Sequence, residues 1–345
     1  MSQTTRVGII GGGWPGIAHA RGYQAAGGFK IVAIADLIPS RRKQMMQEFS
    51  IPAEYDDAEK LLADRTIDAV SIGLPNFLHA PMVKAALKAG KHVLCEKPPA
   101  MNAREAAQMS AAAEKSGKVL LYSLQRRFGG AEQASKQAIE KGYAGEIYHA
   151  RAAWTRTRGI PIGTGWFTDK SKSGGGSLID IGVHMLDLAW HLMGQPKPTS
   201  VYGVAYQKFG GTLPPTHKFD VDDSAFAMIR FEGGKSLELA ASWSLNQPPQ
   251  QNGTICRLYG DKAAIEVYTP EGATLYRSFD AKGAAKANPL KPPKTVQHAA
   301  LMRHFRDCIL GKSKPIAGGP EGIMLMQMLD AIYKSSQTGK SVDIR

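Results

Sequence analysis

The chain has 345 residues, of which 43% are hydrophobic and 21% charged, with 43 Lys and Arg against 30 Asp and Glu for a formal net charge of +13. That length exceeds one ordinary core and suits two domains, and no stretch reaches membrane-spanning length. The basic residues are scattered, with no stripe of interleaved aromatics, which excludes nucleic acid as the expected partner and leaves a solvated surface able to steer an anionic ligand.

Cys95, Cys256 and Cys308 are odd in number and widely spaced, so neither a disulfide framework nor a zinc site is expected. No apolar targeting run precedes the first strand, and the expected location is the cytoplasm.

In chain order, Arg6 to Ile10 reads as a β-branched strand, followed by Gly11-Gly12-Gly13-Trp14-Pro15-Gly16 and a helix from Ile17 to Ala26. This is G-x-G-x-x-G between a strand and a helix. The glycines allow a tight turn and the approach of a pyrophosphate, whose charge the helix N-terminus meets. The next strand, Lys30 to Ala35, ends at Asp36, about 20 positions on, where a carboxylate suits a ribose diol. Asp36 would repel a 2′-phosphate and favours NAD, whereas Arg41 and Arg42 just beyond it are the residues that would accommodate NADP.

The βα alternation continues with a helix from Arg41 to Phe49, a short helix within Tyr55 to Leu62, and a buried strand Ala69 to Gly73 that ends at Leu74-Pro75-Asn76. A helix from Pro81 to Ala89 and the strand His92 to Cys95 follow, delivering Glu96-Lys97-Pro98. Ligands bind beyond the carboxyl ends of strands in an open α/β sheet, so Asn76, Glu96 and Lys97 should border a cofactor. A Lys after a strand is usually a solvated charge. Here the apolar strand and Pro98-Pro99 hold it in a cleft, where it can polarise a substrate hydroxyl. Asn102 to Ser116 is the next helix, and Val119 to Tyr122 the last strand of this part.

Gly174-Gly175-Gly176-Ser177-Leu178-Ile179-Asp180-Ile181-Gly182-Val183-His184-Met185-Leu186-Asp187 sets polar residues into an apolar run. Asp180, His184 and Asp187 stand at i, i+4 and i+7, one face of a helix, with Leu178, Val183, Leu186 and Trp190 on the other. The glycines allow close approach of a bound molecule, and the helix's first N–H groups favour an oxygen-rich ligand. A carboxylate one turn from an imidazole can orient it as a base. Two other readings stand beside this one: surface acids with a satisfied core histidine, and metal ligands, for which no second His/Cys cluster provides support.

Beyond residue 125 a helix from Glu132 to Lys141 leads to β-rich runs: Gly145–Arg156, Ser200–Lys208, Ser224–Phe231, Lys235–Leu245, Ile255–Tyr259, Ala264–Tyr268 and Thr274–Ser278. Asp280 to Thr295 reads as a basic, Pro-containing loop, and Ala299–Leu310 and Pro320–Thr338 as closing helices. Arg156, Arg158 and Trp166, on the loop after the first of these strands, combine cationic donors with an aromatic, which suits a sugar. Trp154, Lys172, His217 and Trp243 are weaker candidates. Asp220, Asp222 and Asp223 lack calcium-loop spacing and read as a turn before a strand.

These motifs together resemble the Gfo/Idh/MocA oxidoreductases, the family of glucose-fructose oxidoreductase and inositol 2-dehydrogenase. The resemblance rests on Gly11-x-Gly13-x-x-Gly16-x-x-His19, Asp36, Pro75-Asn76-x-x-His79, Gly90-Lys91-His92-x-x-x-Glu96-Lys97-Pro98, Arg126-Arg127-Phe128 and the Gly174 to Asp187 stretch. It implies an α/β fold: an N-terminal Rossmann doubly wound parallel sheet (1–125, NAD(P)-binding) and a C-terminal α+β domain (126–345, substrate binding and oligomerisation) with a large, mostly antiparallel open-faced sheet.

By position, the resemblance makes Lys97, Asp180 and His184 catalytic. Cofactor contacts fall to Gly11, Gly13, Trp14, Pro15, Gly16, Asp36, Arg41, Leu74, Pro75, Asn76, His79, Glu96, Lys97 and Gln125. Substrate contacts fall to Lys97, Arg127, Arg156, Arg158, Trp166, Asp180 and His184, with no metal. Gln125 stands where relatives often have Asn, and Gly129-Gly130 replaces a common proline region. The lysine-proline bond is commonly cis in relatives, and Lys97–Pro98 is expected to be so.

The implied activity is NAD(P)-dependent hydride transfer from a secondary hydroxyl of a sugar, polyol or related carbohydrate, by a homodimer or homotetramer formed through the C-terminal sheet. The alternatives within the resemblance are an NAD-dependent redox-neutral glycosidase and a non-catalytic nucleotide-sensing regulator.

Overall fold

The computed structural model describes residues 4–163, 165–214, 216–268, 272–279, 282–294 and 296–344. Its first eleven elements are β1 (Thr5–Ile10), α1 (Trp14–Ala26), β2 (Phe29–Ala35), α2 (Pro39–Phe49), β3 (Ala53–Tyr55), α3 (Ala58–Ala63), β4 (Ala69–Ile72), α4 (His79–Lys88), β5 (His92–Cys95), α5 (Ala103–Ser116) and β6 (Leu120–Tyr122). Then come α6 (Gly130–Glu140), β7 (Ile147–Thr155), α7 (Lys170–Ser173), a π-helical turn (Leu178–Gly182) that runs into α8 (Val183–Leu192), β8 (Pro198–Tyr206), β9 (Ser224–Phe231), β10 (Ser236–Ser242) and β11 (Gly253–Gly260). The remainder is β12 (Ala264–Tyr268), β13 (Gly272–Phe279), β14 (Ala285–Leu290), α9 (Gln297–Ile309), α10 (Gly319–Thr338) and β15 (Val342–Asp343). Two compact units result, Met1–Phe128 with Thr295–Met326, and Gly129–Lys294 with Gln327–Arg345.

In the first unit six parallel strands lie in the order β3-β2-β1-β4-β5-β6. Val7, Ile9, Val70, Ile72, Val93 and Leu94 are fully buried because helices cover both sheet faces. Each such side chain contributes about 1.5–3 kcal/mol of burial. Helices are started by local chemistry: Asn102 Oδ1 accepts the Glu105 N–H (3.0 Å) at α5, and the Asp57 side chain accepts the Glu59 N–H at α3. Strand order reverses between β1 and β4, so the loops after these strands border the crevice where such sheets bind nucleotides.

His92 ties β5 to the approach of β6, its Nδ1 accepting the Val119 N–H at 3.1 Å. Burial, with the Lys118 charge beside it, lowers its pKa from the ordinary 6.5 to about 4. The unfolded chain therefore takes up this proton first. The stability contributed by the neutral ring is complete above about 6.5 and is lost as the pH falls through about 4. His92→Gln is expected to flatten the decline of the urea midpoint between about pH 7 and pH 5. An equally steep decline in the variant would contradict this account.

In the second unit nine strands form the sheet β14-β13-β12-β11-β7-β10-β9-β8-β15, antiparallel except where β10 runs parallel to β7. Helix α8 packs against β7, β10 and β11. Every residue from Val183 to Trp190 is buried, so this helix is apolar on all sides apart from His184 and Asp187.

The short helix expected within Tyr55 to Leu62 is α3, with β3 (Ala53–Tyr55) just before it, and two local readings are corrected. A strand, β14, occupies the middle of the expected 280–295 loop, pairing with β13 at the edge of the sheet. Pro289 is tolerated there because an edge strand has one ladder side unpaired. Asp280, Ala281 and Thr295 lie outside the described residues. The Asp180 to Asp187 stretch begins as a π turn rather than an α-helix, which changes the angle between Asp180 and the residues after it from the α-helical i, i+4, i+7 spacing.

Candidate active site

The first unit gathers its candidate residues at the carboxyl ends of β1, β2, β4, β5 and β6. The Gly11 to Gly16 loop leaves β1, held by the Gly11 N–H on the Ala35 carbonyl (2.8 Å). Gly11 has φ +98°, and a Cβ at Gly16 would stand 2.0 Å from the Gly11 carbonyl oxygen, so both positions require glycine. Helix α1 begins at Trp14-Pro15 with no side chain capping it, which leaves its first N–H groups for a ligand's oxygens. Trp14 is 70% exposed.

Asp36 ends β2, its Oδ2 accepting the Gly12 N–H (2.7 Å) and Oδ1 the Ile38 N–H (2.8 Å), while Arg41 Nη1 lies 3.9 Å away. A carboxylate has about four acceptor sites, so capacity remains for a diol. Arg42 is committed elsewhere, to Glu54 and to the Asp36 carbonyl, each at 2.7 Å.

Leu74-Pro75-Asn76 leaves β4, and His79 behind it is fully buried, with Nδ1 2.9 Å from the Pro98 carbonyl and Nε2 2.9 Å from the Leu74 carbonyl. One imidazole thereby ties the loop after β4 to the loop after β5. Burial lowers its pKa, against the pull of the two carbonyls. The Lys97–Pro98 bond is cis.

Beneath Lys97 lies a buried pair: Glu96 Oε1 is 2.9 Å from His19 Nε2, which is also 3.2 Å from Ser123 Oγ, and Glu96 Oε2 accepts the Lys97 N–H at 3.0 Å. Burial by itself would raise the Glu96 pKa, but the hydrogen bond and charge of His19, with Lys97 and Ser123, hold it well below the usual carboxylate range. The acid is thus ionised under Lys97. Gln125, on the turn after β6, carries a buried Oε1 that takes no hydrogen bond from the described residues. Together with the uncapped α1 terminus and Asp36, it fits a dinucleotide.

Arg127 is 1% exposed and donates to the Ile316 carbonyl.

The second unit holds Asp180 on the π turn and His184 in the first turn of α8. Asp180 is half-buried, and its Oδ2 accepts the Trp243 indole N–H at 3.0 Å. His184 is 5% exposed, its ring 5.6 Å from that of Trp154, over which the Arg156 guanidinium sits at 5.1 Å. Trp154, Ile160, Phe167 and Phe219 pack around Ile181, Val221, Ala241 and Trp243, forming an aromatic wall beside the acid and the imidazole. Trp166 stacks on Phe167 (3.9 Å between centroids). Arg158 is exposed and bonded to Asn246 Oδ1 (2.9 Å), with Phe209 beneath it at 4.9 Å.

Asp187, read in one alternative as a surface acid, is 1% exposed. The expectation that the glycine-flanked N–H groups face a ligand is also corrected: those of Gly176, Ser177 and Leu178 are all taken by Asp222. No cluster of three metal-ligating side chains occurs among the described residues. No helix among them is long and apolar enough to cross a membrane. Trp243 and Asp222 are the residues whose importance sequence reasoning underrated. Trp243 had an aromatic signal, whereas Asp222 had none beyond its place in an acidic turn.

Two family profiles match the chain, "Oxidoreductase family, NAD-binding Rossmann fold" over residues 5–124 and "Oxidoreductase family, C-terminal alpha/beta domain" over residues 136–344. A D-glucoside 3-dehydrogenase of Escherichia coli K12 is 34% identical, covering 99% of this chain and 98% of its own length. A levoglucosan dehydrogenase of Pseudarthrobacter phenanthrenivorans is 31% identical over 76% of this chain and 73% of its own. A solved levoglucosan dehydrogenase, in complex with NADH and levoglucosan, superposes with a TM-score of 0.90 at 24% identity, over 99% of this chain and 100% of that one, and shares the fold.

Proposed function

We propose, on the premise that the chain belongs to the Gfo/Idh/MocA oxidoreductase family, that it oxidises a secondary hydroxyl of a sugar, polyol or glycoside with NAD as hydride acceptor. The observation that carries the substrate class is the flanking of Asp180 and His184 by the Trp243 and Trp154 indoles. A sugar presents hydroxyls at its edge and C–H groups on its face, and this surface offers polar groups beside aromatic faces.

When bound, the nicotinamide supplies a hydride acceptor at C4. His184 accepts the hydroxyl proton, Asp180 orients the substrate with Trp243 holding its carboxylate, and the Lys97 ammonium stabilises the charge that develops on the oxygen. The carbinol carbon loses its hydride, so one alcohol and one NAD give one ketone, one NADH and one proton. The Gly11 to Gly16 loop, the start of α1 and Asp36 hold the dinucleotide. NAD is favoured because Asp36 repels a 2′-phosphate and Arg42 is already engaged, which leaves Arg41 as the cation nearby.

The test is nicotinamide absorbance with NAD or NADP against a panel of glycosides, free sugars, sugar acids and inositols, with products identified by mass spectrometry. Reduction of NAD by a glycoside or sugar supports this reading. Bond cleavage without net reduction would replace it by redox-neutral glycoside cleavage, and nucleotide binding without chemistry by a sensor.

The same reading includes self-association. On the sheet face opposite α8 a cross-strand row of Val204, Phe226, Ala240, Ala153 and Ile255 runs beside a row of Tyr202, Met228, Glu238, Arg151, Arg257 and Glu266. Tyr202 is 51% and Met228 42% exposed, and in the same row Glu238 and Glu266 flank Arg151 and Arg257, forming the Arg151–Glu238 and Arg257–Glu266 pairs. A second copy covers such a surface with both its apolar and its charged rows matched. Sedimentation is expected to give a dimer or tetramer, and Phe226→Glu a smaller species; a wild-type monomer would contradict it. No disulfide joins the three buried cysteines, in keeping with the proposed cytoplasmic setting.

A further inference from the structure

The π turn that carries Asp180 starts on a residue far away in sequence. Gly176 N donates to Asp222 Oδ1 (2.7 Å), Ser177 N to the Asp222 carbonyl (2.9 Å) and Leu178 N to Asp222 Oδ2 (2.9 Å), so three consecutive N–H groups end on one aspartate. The Ser177 hydroxyl adds a bond to Oδ2 (2.9 Å), and Tyr333 of α10 donates to Oδ1 (2.8 Å). Among the described residues four donors and no acceptor meet the carboxylate, the complement of an ionised acid, and its charge sits at a helix N-terminus. Gly176 permits this approach, since a Cβ there would lie 1.8 Å from the Asp222 carbonyl oxygen.

The neighbouring Asp223 extends the construction. Its carbonyl accepts the Trp243 N–H at 2.8 Å, and the Trp243 indole in turn holds Asp180. One dipeptide before β9 therefore fixes both the start of the π turn and the indole that steadies the acid on it.

We propose that Asp222 is a positioning residue for the oxidation: its carboxylate sets the start and the register of the 178–182 turn, and through it the aim of Asp180 and His184. This rests on the oxidoreductase reading above. An isosteric amide cannot replace the carboxylate. Whichever oxygen becomes NH2 faces a backbone N–H, of Gly176 or of Leu178, that can only donate.

The test is Asp222→Asn in the full-length protein, with Tyr333→Phe as the milder companion that removes one donor and keeps the carboxylate. In the Asn variant kcat is expected to fall about 10²-fold, the cost of a small misplacement of reacting groups, with NAD affinity unchanged. The isotope effect on kcat with a carbon-deuterated substrate should rise, because hydride transfer becomes slower. Amide exchange should accelerate in the 174–184 peptide and nowhere in the first unit. Tyr333→Phe should move kcat and exchange in the same direction by less.

Unchanged kcat and exchange in both variants would overturn the proposal. So would a lower kcat with an unchanged isotope effect and faster exchange throughout, the signature of lost fold. Exchange is read without turnover, so a wild-type protein that oxidises nothing sinks the oxidoreductase reading while exchange at 174–184 still decides whether Asp222 sets the turn.

Discussion

Lys97→Ala is expected to lower kcat about 10³-fold while NAD affinity stays within about a factor of three, because the ammonium that stabilises the charge developing on the substrate oxygen is lost. Lys97 leaves β5 half-buried, and its backbone N–H is fastened to Glu96 Oε2. Glu96 is itself pinned by His19, and Pro98 by His79, so the loop is held on both sides of the lysine. Such preorganisation is what makes a cation effective toward a charge that exists only in the transition state. The pyrophosphate loop and Asp36 are built from other residues, which is why cofactor binding should survive. Steady-state kinetics with NAD titration by fluorescence separates the two quantities. Unaltered turnover would remove Lys97 from the chemistry. Lys97→Arg should restore little, since a planar fork does not replace a compact ammonium.

His184→Ala should cost between about 10²- and 10⁴-fold in kcat, the range for loss of a positioned base. The imidazole is 5% exposed against Trp154, so its removal leaves a space of its own shape beside the indole. Added imidazole is expected to restore part of the rate in this variant and none in Lys97→Ala. Full activity without His184 would transfer the proton to another group, with Lys97 the first candidate. A loss that imidazole leaves untouched would make His184 a support for Asp180 instead.

Much of the first unit was legible because its signals are local. A strand buried on both faces reads as a short apolar run, and the Gly11 to Gly16 turn, the Asp36 terminus and the Glu96-Lys97 terminus follow such runs directly. What escaped depends on partners remote in sequence. Nothing near Arg127 announces the bond of its guanidinium to the Ile316 carbonyl, and nothing near Asp222 announces Gly176, Leu178 and Tyr333. The β14 strand carries Ala, Lys, Asn and Pro, and exists because β13 offers it an edge to pair with. The helical spacing of Asp180 and His184 was visible, whereas the π turn that interrupts it follows from the hold of Asp222 and from Gly182, where a Cβ would stand 2.9 Å from the Ala241 Cβ.

The central claim, that this chain moves hydride from a secondary carbinol carbon of a carbohydrate to a nicotinamide, is tested most directly by following the hydrogen itself. The wild-type protein is mixed with NAD and a glycoside deuterated at successive ring carbons, and the NADH is analysed by mass spectrometry. The account predicts that deuterium appears at C4 of the nicotinamide from one secondary position, with the ketone formed at that carbon in equal amount. NADH that carries no deuterium from any position, or a ketone without NADH, would contradict it.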